Sequence, residues 1–257
     1  MFHCAELWRQ RYRYNIGMEK KTLPELHLLS SVFLSPTPLG YQRYDTSKLS
    51  LDNEPLARIG RYLTGLQTLA GIHWDSVRLF FSLDEAWVQH EQEIKNKITE
   101  IFPGSLVSTQ RLSNPKEWAE ASLGMSSNSV IYLHANDDHA LVCAPDSFER
   151  EAARLYFDTS ARLTMITHYP EVKGVLYRQK PFGWLRDRDY INVEYALGTT
   201  LVKTDFFRCW WSSENFSEKE TVYRPDNPVG RSVVFAKTKS LVPRTEIIRH
   251  MDGYAHV

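Results

Sequence analysis

Apolar positions over residues 26–168 switch repeatedly between two periods, short near-continuous runs that suit strands and i, i+3, i+4 spacings that suit helices. Residues 26–34 are the first run and predict an opening strand, which the prolines and glycine of residues 35–40 end in a loop. Asp52 and Asn53 offer helix caps and Pro55 suits a first turn. Leu56, Ile59, Leu63, Leu66 and Leu69 then recur at helical spacing. Residues 76–83 read as a second strand, closed by Asp84 and Glu85. Trp87, Ile94, Ile98 and Ile101 keep helical period as far as Pro103 and Gly104, and residues 106–108 predict a short strand. Asn114, Pro115 and Glu117 have the spacing of a capping box with proline in the first turn. The densest run, Val130 to Leu133, stops at Asn136-Asp137-Asp138-His139, and apolar residues resume at Ala140. Pro145 and Asp146 open a further helix with Phe148, Ala152, Leu155 and Tyr156 on one face, and residues 163–167 read as a strand. Parallel strands need helical crossovers, so this alternation predicts an α/β fold with a Rossmann-like, mostly parallel sheet flanked by helices.

After residue 168 the pattern breaks. Pro170, Pro181, Gly183, Trp184 and the charged residues 186–189 mark a long irregular stretch, followed by predicted strands at 190–197 and 199–207, some of them antiparallel. Residues 224–228 form a turn-rich loop containing Asp226. The resulting division is a basic, aromatic arm at 1–25, an α/β half at 26–168, and a mixed half at 169–257 that completes a single domain. The arm could touch a partner or a membrane face, although a solvated basic segment is the plainer reading.

Charge narrows the partners. Lys plus Arg and Asp plus Glu number 31 each, so no global field favours nucleic acid or an anionic membrane. Cys4, Cys143 and Cys209 are too few and too scattered for a disulfide scaffold or a zinc cluster. Without a run of roughly 20 apolar residues or a signal-peptide core, a soluble cytoplasmic protein is expected, peripheral membrane contact aside.

The acids after the 130–133 run are the main chemical signal. They stand at the carboxyl end of a buried strand, the edge at which open α/β sheets bind ligands. Two adjacent carboxylates there repel each other unless donors or a cation neutralise them, and hard oxygen ligands suit Mg²⁺ or Mn²⁺. The competing reading is ordinary turn chemistry, for which Asn-Asp-Asp is equally apt.

Together these residues resemble a GT-A-fold glycosyltransferase that uses a nucleotide sugar. The resemblance spans roughly residues 26–257 in layout but rests on short motifs. Asn136-Asp137-Asp138 stands where that family carries its Asp-x-Asp metal motif. Asp84 matches the acid that faces the nucleobase, residues 35–40 match the nucleotide-cradling loop, and His256 looks like the C-terminal metal histidine. The motif departs from the family pattern at Asn136, so the pairs Asn136/Asp138 and Asp137/His139 both stay open. The resemblance implies Asp138 and His256 as ligands of Mn²⁺ or Mg²⁺, and Ser35, Thr37, Asp84, Arg111 and Asp137 as the nucleotide-sugar-binding set. Its donor would be UDP- or GDP-linked and its acceptor a glycan, a lipid-linked glycan or another hydroxyl.

If the anomeric centre is inverted, an acid must deprotonate the acceptor. Asp226 is the first candidate, with Asp187 and Asp189 behind it, each also readable as an ordinary loop acid. Trp184, Trp210 and Trp211 could stack on sugar rings or simply pack, Arg111 could be a solvated surface residue, and His168 reads as structural. Two rival readings remain, a metal-dependent phosphohydrolase or nucleotidyltransferase built on the Asp pair and His139, and a non-catalytic glycan-binding module.

Overall fold

Four runs rich in apolar residues become the parallel half of one sheet. In the computed structural model these are β1 (Glu25–Leu34), β2 (Ser76–Leu83), β3 (Leu106–Ser108) and β4 (Ser129–His134), in the order β3-β2-β1-β4. The structure describes residues 24–34, 55–134, 137–157, 163–165, 190–193, 199–210, 240–243 and 246–251. Parallel registers place Leu28 opposite both Val77 of β2 and Tyr132 of β4. Every residue of β4 is buried, as expected of a central strand covered on both faces.

The crossovers are helical, as the periodicity predicts. α1 (Pro55–Leu69) buries Ile59, Tyr62, Leu66 and Leu69, and α2 (Glu91–Ile101) buries Ile94 and Ile98. α3 (Pro115–Ala121) starts as its sequence dictates, with the Asn114 side chain accepting from the Glu117 amide at 3.0 Å while Glu117 accepts from the Ser113 amide at 2.5 Å. α4 (Pro145–Phe157) packs Phe148 edge-on against Tyr132, centroids 5.0 Å apart. Residues 87–101 are not one helix: Glu85–His90 is a 3₁₀ turn, capped by Asp84, and α2 follows it.

Beyond β4 the sheet turns mixed. β8 (Thr200–Lys203) pairs antiparallel with β4, and β6 (Leu163–Met165), β9 (Ser240–Pro243) and β7 (Tyr190–Val193) continue outward in the order β8-β6-β9-β7. A strand from the second half of the chain thus lies between two from the first, and the halves share one sheet.

The predicted strand at 199–207 needs correction, because it ends at Lys203 and α5 (Thr204–Trp210) begins at once. On a strand Phe206 and Phe207 would face opposite sides, whereas on a helix both turn inward, and both are buried. Phe207 meets Trp118 of α3 edge-on at 6.3 Å.

Two short strands form a separate ladder. β5 (His139–Leu141) pairs antiparallel with β10 (Ile248–His250), which the periodicity did not reveal. β5 lies so close to α1 that a Cβ added at Gly65 would sit 2.2 Å from the His139 carbonyl oxygen. Thr68 completes the seam, its hydroxyl accepting from the Leu141 amide at 2.9 Å.

Candidate functional site

The connection from β4 to β5 carries Asp137 and Asp138 to the carboxyl edge of the parallel strands, where the sequence reading places them. Main-chain contacts hold this connection on both sides. The Met251 amide donates to the Asp138 carbonyl at 2.7 Å, and the Val142 amide donates to the Ile247 carbonyl at 2.9 Å. Met251, directly after β10, therefore lies beside Asp138.

The two acids meet different fates. Asp137 is ion-paired through Oδ2 with the Nε of Arg58, which reaches it from the first turn of α1. Burial, with Asp138 adding to it, still holds the Asp137 carboxyl above the usual carboxylate range against the pull of Arg58. Asp138 lies half-buried with Oδ1 3.9 Å from His139 Nε2. His139 itself is committed to the scaffold: its Nδ1 bonds the Thr199 hydroxyl at 2.6 Å, and the residue is fully buried.

His134 closes β4 directly before these acids. Its ring sits on the α1 side of the sheet, 6.3 Å from the Tyr62 ring and 6.0 Å from that of Tyr132. The residue is 1% exposed, and neither ring nitrogen has a hydrogen-bond partner among the described residues. Burial pushes its pKa down to about 4, against an opposing pull from Asp138, so the imidazole is neutral at physiological pH. Neighbouring Ser30 bonds the Tyr62 hydroxyl at 3.4 Å and faces His134 across the parallel register.

The other expected residues gather around β1 and β2. Asp84 ends β2, two strands from β4, or roughly 10 Å across the sheet. Its amide donates to the Leu34 carbonyl at 2.9 Å, and its Oδ1 accepts from the Ala86 amide at 3.1 Å, so a helix-capping duty occupies the carboxylate. Arg111 stacks its guanidinium over the Phe33 ring, 5.1 Å from the centroid, while the next amide, Leu112, bonds the Ser31 hydroxyl at 2.8 Å. Arg111 is thus drawn to the carboxyl end of β1.

Ser35, Thr37, Asn136, His168, Trp184, Asp187, Asp189, Trp211, Asp226 and His256 lie outside the described residues, and Trp210 ends α5. Among the described residues, no three His, Cys, Asp or Glu side chains converge in a way that would enclose a metal ion. No helix among them is long and apolar enough to cross a membrane.

Sequence reasoning missed Arg58 and His134. A basic residue in the first turn of a helix that has no acid there runs against the helix dipole, and that was a usable signal for Arg58. For His134 the signal was an imidazole ending an otherwise apolar run.

No family model matches this chain, and no curated protein does. Among solved structures it is similar to S. aureus TarS 1-349, at 12% identity and a TM-score of 0.45, over 87% of this chain and 59% of that one. The same protein in complex with UDP gives 12% identity, the same two coverages and a TM-score of 0.46. HddC from Yersinia pseudotuberculosis is 11% identical, with a TM-score of 0.41 over 90% of this chain and 94% of that one. The chain thus spans a little under three-fifths of the TarS 1-349 length. At such identities and TM-scores the likenesses carry no chemistry across, and the site has to be judged on its own residues.

Proposed function

We propose that this chain is a glycosyltransferase that moves a sugar from a nucleoside-diphosphate sugar, UDP- or GDP-linked, to a hydroxyl of a glycan or lipid-linked acceptor. The observation that carries the reading is the convergence at one sheet edge of Asp137, Asp138, Arg58 and His134. The GT-A-like layout supports it, a parallel β3-β2-β1-β4 half followed by an antiparallel strand, with the acids on the loop after β4.

The parts divide the work as follows. The loop after β1, with Ser35 and Thr37, and Arg111 beside it would receive the nucleotide. Arg58 holds the Asp137 carboxyl in place, so the edge presents it in a defined position. The donor chemistry at Asp138 fits a hard divalent cation, Mn²⁺ or Mg²⁺, with His256 as the second ligand that the resemblance implies. When bound, such a cation offsets the negative charge that grows on the departing diphosphate. Asp226, or failing it Asp189 or Asp187, would take the acceptor proton.

Ligand linkage tests the reading on the whole chain. UDP or GDP with Mn²⁺ should raise the melting temperature, and Asp138→Ala should abolish the increase. Absence of a shift with every nucleoside diphosphate and metal would sink the proposal. Phosphate release without an acceptor would instead favour a phosphohydrolase.

A further inference from the structure

The acidic turn is tethered by two residues far from it in sequence. Arg58 holds the Asp137 side chain, and the Met251 amide donates to the Asp138 carbonyl at 2.7 Å. The second tether is the tip of a strap. β10 runs antiparallel to β5 with Ile248 opposite Leu141 and His250 opposite His139, and the Val142 amide bonds the Ile247 carbonyl at 2.9 Å. Ile247 and Ile248 are buried in the main core, whereas Arg249 is exposed and Met251 half-buried. One end of the strap is anchored, and the end that reaches Asp138 is not.

β5 cannot follow the strap if its tip moves. The His139 carbonyl lies against Gly65 of α1, the Thr68 hydroxyl accepts from the Leu141 amide, and His139 Nδ1 bonds the Thr199 hydroxyl. Movement at the tip therefore falls on Asp138, one residue before β5. A two-stranded ladder of three residues is marginal by itself, so its loosely packed end is the part that opens first.

We infer that Met251 is a positioning residue of the donor site: its main-chain amide sets Asp138, and the strap tip and the acidic turn become ordered together when a nucleoside diphosphate binds. The inference rests on the nucleotide-sugar reading and adds to it a coupling between the donor site and a residue that touches no ligand. Coupling of this kind is reciprocal. A nucleotide that fixes Asp138 also holds Met251 in place, and loss of the Met251 bond weakens the nucleotide by the same factor. The donor is a main-chain group, so a substitution that keeps the amide keeps the tether, and only proline removes it.

Backbone hydrogen exchange on the full chain, without ligand and with UDP or GDP plus Mn²⁺, reads the coupling. The Met251 amide should slow about tenfold or more on binding, and by a larger factor than the amides of α2, because a bond that is only structural gains no more than the general stabilisation by ligand. Calorimetry at a temperature where each variant is fully folded gives the converse. Met251→Pro should raise the Kd of the same nucleotide about tenfold, and Met251→Leu, which retains the amide, should rescue it. If Met251→Pro does not fold, wild-type exchange still decides. Met251 exchange unaltered by bound nucleotide, or a folded Met251→Pro with the wild-type Kd, overturns the positioning role and leaves sugar transfer intact. If neither nucleotide binds with or without metal, the functional reading falls and this inference with it.

Discussion

Asp137 combines burial, which raises its pKa, with one close partner that opposes the rise. Its carboxylate is half-buried, and Arg58 meets it from 79 positions earlier in the chain. Arg58→Met should cost about 2 kcal/mol in urea unfolding, because a buried charge loses its donor. Adding Asp137→Asn should restore most of that loss, and if the double variant is no better than the single one the pair is not the cause. A second residue-scale expectation concerns His27, buried in β1 with its Nδ1 2.8 Å from the Ser76 hydroxyl. Burial holds its pKa below 6.5, against Asp75 and Glu25 and with help from Arg78 and Arg208. The folded chain therefore binds fewer protons here than the unfolded one. Its contribution is complete above pH 6.5 and is lost as the pH falls from there toward the lowered value. His27→Gln should flatten the stability profile over that window, and an unchanged slope would rule the residue out. The acids of the site were legible one by one, as polar residues that end an apolar run. Their partners were not, since pairing across 79 positions leaves no periodic trace.

Elements show the same split between what is local and what is not. Asn114 and Glu117 announce α3 because capping is chemistry between close neighbours, and Asn114→Ala should cost about 1 kcal/mol in chemical denaturation. The α5 start was also written locally, in Asp205 of its first turn, but two adjacent phenylalanines imitated a strand. β10 had no such mark. It is three residues long and takes its form from β5, more than a hundred positions earlier. Gly65 looks like a mild helix weakness in sequence, yet it is the point of closest approach between α1 and β5. Gly65→Ala should improve helix propensity and nevertheless destabilise the chain by about 1–3 kcal/mol, because backbone has to move. A thermal melt that shows no loss would mean that β5 can give way freely.

At the scale of the whole molecule, the alternation of strand and helix specified that the first half is parallel, but not its order, because β4 lies beside β1 and not beside β3. The order β8-β6-β9-β7, antiparallel except where β6 meets β9, could not be read that way either, because its neighbours do not follow chain order. Its consequence is cooperativity. A chain ended at residue 168 would lose β8 and leave β4, apolar and buried on every residue, as an open edge; it should be insoluble on expression, where full-length protein is not. A soluble, nucleotide-binding fragment would show that the first half folds alone. The bond from Met251 to Asp138 has a quieter implication. The last described turn of the chain has hold of the acidic loop like a hand on a latch. A change that moved Met251 would break that bond and free the main chain at Asp138.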